Sequence, residues 1–475
     1  MSDNPPLVID LDGTLLRSDL LYETFLLHLR DRPLRLLAPL FWLKNGKAAL
    51  KEGLARATSI DVSVLPYDDA VLELISGARS GGRRVVLATA SHRLLADQVA
   101  DHLGIFDEVI ATEGDRNLSA DVKRETLVTR YGESGFDYAG NSRDDLPVWR
   151  AARHAYVVNA SAAVAGMAQA NGNVVQTMQA QSRSGVDWAK AMRWHQWLKN
   201  VLIFLPLLAA HKFYDQRTIF QALVAFVCFG MCASSVYLLN DLLDLGDDRH
   251  HKRKRTRPFA AGRLPIRSGL ILFPVLLVLA FGVSSWLLRP LFGVGLLGYY
   301  VMTLGYSMWL KRKMVVDVIT LAALYTIRII AGAIALDIPL SFWLLAFSMF
   351  MFLSLALMKR YTELLVLRTN GTQAKIRGRG YVADDLAMLA SMGAAAGYMA
   401  VMVLALYIND PGTVQLYRHP KAIWLACPLL LAWISRTWML AHHGRMHDDP
   451  VVFAVRDRIS LGIGALIGLA FWAAL

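Results

Sequence analysis

Asn240-Asp241-Leu242-Leu243-Asp244-Leu245-Gly246-Asp247-Asp248-Arg249-His250-His251 follows directly on an apolar run at 217–239, which is long enough to cross the core of a bilayer. On a helix, residues 240, 244 and 248 are spaced i, i+4, i+8 and line one face, with Asp241 on the adjacent stripe. Carboxylates so closely clustered repel each other. They make sense around a divalent cation, Mg²⁺ bridging to phosphates being the common case. Lys252, Arg253, Lys254, Arg255 and Arg257-Pro258 come next. Cations within a turn or two of the metal face meet the phosphate oxygens that the metal leaves free. The competing reading is a hydrated helix end with a basic topology signal. The specificity of NDxxDxxxD followed by a basic Arg-Pro run argues against it.

Working outward, apolar runs of roughly 18–25 residues recur from about residue 197 onward. About nine spans are predicted: 199–213, 217–239, 268–287, 291–310, 316–336, 341–358, 383–407, 421–440 and 457–475. The first is short and carries Pro206. The chain has 475 residues, 55% of them hydrophobic, and a mean hydropathy of +0.37. A soluble protein of this size rarely reads so apolar. Residues 1 to about 190 nevertheless look like an ordinary soluble domain. The N-terminus has neither a basic n-region nor an apolar h-region, so no signal peptide is expected. The soluble domain is placed in the cytoplasm and the protein in the inner (plasma) membrane.

The net charge of +12 could suggest nucleic acid, but its distribution speaks against that partner. The basic residues cluster at 250–257, 311–313 and 359–379, all on the cytoplasmic side when spans are counted from a cytoplasmic N-terminus. A transporter or channel would need polar residues along the spans, and these concentrate at the cytoplasmic ends. Cys228, Cys232 and Cys427 fall in spans and imply neither disulfides nor zinc. His442, His443, His447 and Asp448 tempt a metal assignment, but a solvated loop is the expected reading.

The soluble part opens with Leu7-Val8-Ile9-Asp10-Leu11-Asp12-Gly13-Thr14. An apolar strand runs into two carboxylates spaced i, i+2, which converge at its carboxyl end, the usual place for an α/β active site. One carboxylate can attack phosphorus and the other can protonate the leaving oxygen. Val85–Thr89 reads as a second buried strand, and Tyr138-Ala139-Gly140-Asn141-Ser142-Arg143-Asp144-Asp145 as an acidic loop. Residues 17–80 look helical and would form a cap. Within them Leu34–Leu43 is unusually apolar. Contact with the membrane, contact with the second domain and ordinary cap packing are all compatible with it. Residues 166–190 read as a flexible tether with some helix.

Over about residues 5–165 these motifs resemble the haloacid dehalogenase-like phosphohydrolases. The resemblance implies an α/β Rossmann-like domain with a helical cap. It implies Asp10 as nucleophile, Asp12 as general acid, Thr89 and Lys123 as phosphate-binding groups, and Mg²⁺ held by Asp10, Asp12 and Asp144 or Asp145. The family usually has Asp where this chain has Asn141, so an active phosphatase and a vestigial or regulatory domain both stay open.

From about residue 190 to 475 the chain resembles the UbiA-type intramembrane prenyltransferases, all-α bundles of nine helices. Its blocks look most like the branch that makes polyprenyl-phosphoribose, the decaprenyl-phosphate phosphoribosyltransferases. They are Arg193–Asn200, Asp248–Gly262, Tyr306-Ser307 with Leu310-Lys311, Asp317, Arg328, Ala331-Gly332, Lys359–Leu364, and Asp449-Pro450 with Arg456-Asp457. Aromatic prenyltransferases usually carry a second DxxD-type motif. Here that region has only Asp317.

The resemblance therefore implies phosphoribosyl diphosphate as donor and a polyprenyl phosphate as acceptor, with Mg²⁺ on Asn240, Asp244 and Asp248. Asp244 and Asp248 are the catalytic pair. Asn240, Asp241, Lys199, Lys254, Arg255, Arg257, Tyr306, Lys311, Arg328, Lys359 and Arg360 are the candidate substrate-binding residues. Arg328, deep in a span, could instead pair with Asp317. The fused phosphatase would remove the 5-phosphate from the product. The alternative is transfer of an isoprenyl chain to an aromatic or other small acceptor, with a regulatory soluble domain. Lipid length and oligomeric state are not legible.

Overall fold

The computed structural model describes residues 4–114, 116–178, 184–212, 214–369, 380–411, 415–446 and 449–475. The chain forms two compact units, Met1–Arg193 with Tyr237–Pro274, and Trp194–Val236 with Val275–Leu475.

The first unit is built on a parallel six-stranded sheet in the order β3-β2-β1-β4-β5-β6. The strands are β1 (Leu7–Ile9), β2 (Val85–His92), β3 (Glu108–Thr112), β4 (Asp137–Gly140), β5 (Ala155–Val158) and β6 (Val174–Met178). β1 is covered on both faces, so Leu7, Val8 and Ile9 are all fully buried and no polar alternation is seen. It lies between β2 and β4, with Ile9 opposite Leu87 on one side and Ala139 on the other. The strand order reverses here. Side chains just beyond β1 therefore enter the crevice at the carboxyl edge.

Three helices follow β1: α1 (Leu20–Asp31), α2 (Ala38–Lys44) and α3 (Lys47–Ala57). Asp19 caps α1 by accepting from the Leu21 amide. The helix α4 (Asp69–Ser80) belongs to the crossover into β2, and its buried Val71 and Ile75 join the core beneath β1. The sheet continues past the expected edge of the domain. β6 pairs with β5 inside the stretch read as a tether, because Val174-Val175 supplies a short β-branched run after the turn at Gly172. The remaining helices of the sheet domain are α5 (Arg93–Leu103), α6 (Ala120–Tyr131), α7 (Leu146–Ala151), α8 (Ala162–Gln169) and α9 (Gly185–Ala191).

The helical part has α10 (Leu205–Ala209), α11 (Gln216–Leu243), α12 (Leu245–His250), α13 (Ile266–Leu287), α14 (Pro290–Met308), α15 (Val316–Leu336), α16 (Phe342–Thr369) and α17 (Leu386–Ile408), followed by helices at Ala426–His442, Pro450–Arg456 and Arg458–Ala474. Among the described residues seven helices are long and apolar enough to cross a membrane, against the nine spans expected. At 199–213 the chain instead forms a 3₁₀ stretch, Trp194–Phe204, and then the five-residue α10 with Pro206 in its first turn. At the C-terminus the apolar helix Arg458–Ala474 has 17 residues. The protein is a multi-pass membrane protein with an α/β domain in front. In the second unit the core gathers on α16, α17 and Ala426–His442, with Tyr361, Trp438 and Tyr381 among its large side chains.

Candidate functional sites

At the end of β1 the Asp10 carboxylate is buried and receives the Lys123 ammonium at 2.7 Å and the Thr14 hydroxyl at 3.2 Å. Lys123 comes from α6 and also donates to the Tyr138 hydroxyl at 2.9 Å. That hydroxyl donates to Asp145 at 2.6 Å. Burial pushes Asp10 up to about 7, with Lys123 opposing the rise. Asp12 turns to the cap side of the crevice. It accepts from the Leu20 amide at 2.8 Å and from the Ser91 hydroxyl at 2.6 Å. Burial raises it to about 6, helped by neighbouring Asp19. A carboxyl group in that range can be protonated near neutral pH and can donate to a leaving oxygen.

Asp144 is exposed, whereas Asp145 is buried in the crevice. Both oxygens of Asp145 are in use, one by Tyr138 and the other by the Asn141 amide, the Ser142 amide and the Ser142 hydroxyl at 2.9–3.0 Å. Its work is to hold the loop and the Tyr138–Lys123 line. The side chain beside the Asp10–Thr14 turn is Asn141. Gly13 has φ +78°, and a Cβ there would run into the Asn141 amide. Thr89 is fully buried on β2, and its hydroxyl accepts from the Ser91 amide at 3.0 Å.

Lys51 escaped the sequence reading. From α3 its ammonium donates to the Ala90 carbonyl at 2.5 Å and to Asn117 at 2.7 Å, and burial lowers its pKa. A lysine in a charged helical stretch carries no local signal that it turns inward. Tyr138 was visible in the acidic motif, but without the sheet it has no role.

The acidic helix lies in the same unit. α11 ends at Leu243 and α12 begins at Leu245, with Asp244 at the junction. The hydrogen-bond ladder crosses that junction. The Asp244 amide donates to the Asn240 carbonyl at 2.9 Å, and the Asp248 amide to that of Asp244 at 2.8 Å. The i, i+4, i+8 spacing therefore survives. Asp241 and Asp248 are buried. The Arg257 guanidinium ties them together, donating to Asp241 at 3.0 Å and to Asp248 at 2.7 Å. Arg193 adds a second donor to Asp241 at 2.5 Å and stacks over the Tyr237 ring at 4.8 Å. Lys254 stands 3.8 Å from Asp248, and Arg255 is exposed. Burial raises the pKa of Asp248 against the pull of Arg257.

Oδ1 of Asp248 is buried and has no hydrogen-bond partner. Buried acceptors are normally satisfied, and the charge nearest this one is the Lys254 ammonium at 3.8 Å, so the oxygen has room for a further cationic partner. Among the described residues no group of three or more His, Cys, Asp or Glu side chains is placed to hold a metal ion.

The helical cap after β1 is joined to this helix by a buried ion pair. Arg249 donates to Glu23 of α1 at 2.6 and 3.1 Å and to the Ala260 carbonyl at 3.0 Å. Around it, Arg30 reaches Asp247 at 2.8 Å, His250 lies 3.2 Å from Asp61, and a Cβ on Gly262, whose φ is +67°, would come within 2.6 Å of Arg17.

In the second unit, two of the expected phosphate ligands converge on one carboxylate. Lys199 and Lys359 donate to Oδ2 of Asp449 at 2.8 and 3.0 Å, and the two cations hold that carboxyl well below its usual range despite its burial. Tyr325 donates to the other oxygen at 3.3 Å. The ring of Tyr325 has Lys199 on it at 5.4 Å and Arg328 at 5.6 Å. Three cations thus share one neighbourhood. Asp449 had been noticed only as part of a likeness.

Arg328 does not pair with Asp317. It donates to Asn200 at 3.0 Å and to Tyr299 at 3.1 Å. Asp317 accepts from Arg360 and from Tyr381, both at 2.6 Å. Arg360 is fully buried and also meets Glu363 at 2.7 Å and the Tyr306 hydroxyl at 2.9 Å. These contacts make Arg360 and Tyr306 parts of a packed network rather than an open clamp. Lys311 is half-buried in the turn Leu310–Arg312. His442 meets the Tyr361 hydroxyl at 2.9 Å, while His447 and Asp448 lie outside the described residues.

Residues 7–150 match the haloacid dehalogenase-like hydrolase model, and residues 201–461 match that of the UbiA prenyltransferase family. The chain is 38% identical over 98% of its length to "Uncharacterized protein y4nM" of Sinorhizobium fredii, covering 90% of that protein. It is 37% identical over 60% of its length to "Nodulation protein NoeC" of Azorhizobium caulinodans, covering 93% of it. It is 36% identical over 57% of its length to the decaprenyl-phosphate phosphoribosyltransferase of Mycobacterium tuberculosis, covering 88% of it. With that family model matching residues 201–461, more than half of the chain, the chain belongs to the UbiA prenyltransferase family and carries a haloacid dehalogenase-like hydrolase domain in front.

Proposed function

We propose that the membrane domain transfers phosphoribose from phosphoribosyl diphosphate to a polyprenyl phosphate. The haloacid dehalogenase-like domain then removes the 5-phosphate from the lipid-linked product. The observation that carries this reading is the state of Asp317. It stands where a second acidic motif would bind a second cation in the aromatic prenyltransferases, and it is committed to Arg360 and Tyr381. One acidic face is left, at Asn240–Asp248. The similarity to a phosphoribosyltransferase gives independent support.

In the transfer step an oxygen of the lipid phosphate forms a bond to ribose C1. The bond from C1 to the diphosphate breaks, and pyrophosphate leaves. Asp248, Asp244 and Asn240 would hold Mg²⁺, which when bound neutralises charge on the leaving group. Arg257 keeps Asp241 and Asp248 fixed, and Lys254 and Arg255 extend the cationic edge toward phosphate. Lys199, Lys359 and Arg328 are assigned to the acceptor phosphate. That phosphate is already an anion, so it needs positioning more than a base.

In the second step an Asp10 oxygen attacks phosphorus and the bond to the ribose oxygen breaks. Asp12 gives that oxygen its proton, and water then releases phosphate from Asp10. Lys123 neutralises the nucleophile and the phosphate. Asn141 and Asp10 are the residues assigned to Mg²⁺ there. Carrying both activities on one chain raises the local concentration of the intermediate. The active sites are assigned to the cytoplasmic face of the inner membrane, from the basic inter-helix loops.

The test is incubation of the purified chain with labelled phosphoribosyl diphosphate, polyprenyl phosphate and Mg²⁺. Labelled lipid-linked ribose is expected. No labelled lipid, with turnover of an isoprenyl diphosphate instead, would replace this reading by the prenyl-transfer alternative.

A further inference from the structure

The cap carries a surface that the proposed chemistry does not use. Among the described residues between 4 and 193, ten large hydrophobic side chains are exposed, and six of them fall in one short segment: Leu34, Leu36, Leu37, Leu40, Phe41 and Leu43. The other four, Leu94, Met167, Val175 and Val186, are scattered. Leu34 is 99% exposed and Phe41 69%. Isolated exposed hydrophobics are normal, whereas a contiguous patch marks an interaction surface.

This exposure is built into the fold. The segment is a 3₁₀ turn, Pro33–Arg35, followed by α2. The inner side of α2 is fixed. Pro39 is buried, the Trp42 ring fills the space above Gly53, and that ring also packs edge-on against His28 at 5.4 Å. His28 lies 3.2 Å from the Arg35 carbonyl. With Trp42 held inward, Leu37, Leu40, Phe41 and Lys44, spaced i, i+3, i+4 and i+7, share the outer face.

The charges around the patch decide what covers it. Arg32, Arg35, Lys44 and Lys47 are all exposed on its flanks, against the single exposed acid Asp31 next to Arg32. A leucine and phenylalanine face rimmed by cations matches the boundary between acyl chains and anionic headgroups. The same chain spans a membrane, so that surface is always within tether range. We infer that the segment Pro33–Lys44 of the phosphatase cap is an interfacial anchor that seats Leu37, Leu40 and Phe41 in the headgroup layer of an anionic bilayer. A face of this kind brings the phosphatase crevice to a substrate whose phosphate never leaves the membrane surface. The anchoring itself does not depend on which lipid is hydrolysed.

The experiment uses the full chain. The three native cysteines are buried, so an added cysteine can be labelled selectively. Nitroxide is placed on Phe41→Cys, on Leu37→Cys and, as an aqueous control, on Ser76→Cys of α4. The protein is reconstituted in vesicles of phosphatidylethanolamine and phosphatidylglycerol. Labels at 37 and 41 should relax more with oxygen than with a water-soluble nickel chelate, and the label at 76 should show the opposite order. Chelate access at 37 and 41 equal to that at 76 overturns the inference. So does strong spin–spin coupling between copies at Phe41→Cys, which would put a second chain on the patch. The readout needs no activity, so its failure is separate from failure of the proposed reactions.

Discussion

The two acidic sites of the first unit are made in opposite ways. At the sheet, Asp10 is fixed by Lys123, which is 113 residues away, and Asp12 by Ser91, 79 residues away. At the helix, Asp248 and Asp241 are fixed by Arg257, only 9 and 16 residues away. The first site exists only when the sheet is complete. The second is largely local, with a ladder that persists across the break at Asp244. A long-range site gains rigidity from many elements. A local one leaves Oδ1 of Asp248 without a hydrogen bond, with only the Lys254 ammonium 3.8 Å away.

Removing one nucleophile should separate the two sites most sharply. Asp10→Asn is expected to lower phosphatase turnover by at least about 10³-fold, while transfer to the lipid stays within about twofold, since that step uses other residues. Mass spectrometry of the lipid product should then find the phosphorylated form accumulating. An unchanged final product would remove the phosphatase from the pathway.

Asp248→Ala tests the converse. Loss of a metal-facing carboxylate should cost about 10²–10³-fold in transfer and leave hydrolysis of p-nitrophenyl phosphate unaltered. Equal loss in both assays would mean that the two sites are one cooperative structure.

The pair between Glu23 and Arg249 is where such coupling would originate. Removing one member of a buried ion pair costs about 3–5 kcal/mol, so Glu23→Ala should lower the apparent Tm in detergent. Replacing both partners by methionine should recover much of the loss. A double variant as weak as the single one would point to lost packing rather than to the stranded guanidinium.

The smallest expected change is a gain. Asn141→Asp restores a charge beside the Gly13 turn. It should reduce the Mg²⁺ needed for half-maximal phosphatase activity by about tenfold, roughly the effect of one added close charge at an oxygen-ligand site. No change would place the cation away from residue 141.

The same contrast explains what could be read from the sequence. The strand–Asp-x-Asp-Gly-Thr motif and the acidic helix announce themselves because backbone period and residue type coincide over a few positions. The helix's own arginine clamp is nearly as local. The choice between Asp144 and Asp145 needed the turn after β4, which buries one and exposes its neighbour. The inward turn of Lys51 and the gathering of Lys199 and Lys359 on Asp449 depend on elements far apart in sequence, where no local spacing records the contact. Arg328 and Asp317 looked like natural partners because each is a rare charge in an apolar span. Each has found a different partner, and the helix packing alone decides that. Of the nine expected spans, two are not long helices among the described residues: apolar composition cannot distinguish a 3₁₀ stretch followed by a short Pro206 helix from a crossing helix, and the last apolar run forms a helix of only 17 residues.

The ion pair between Glu23 and Arg249 also sets an order of events during synthesis. The two residues are 226 positions apart. At about 5–20 residues per second, a ribosome needs roughly 10–45 s to make the second after the first. Through that interval the cap has a carboxylate without its guanidinium, and α11 must already be made before Arg249 exists. The α/β domain emerges first, yet this face of its cap gains its partner only after α11 and Arg249 have been made.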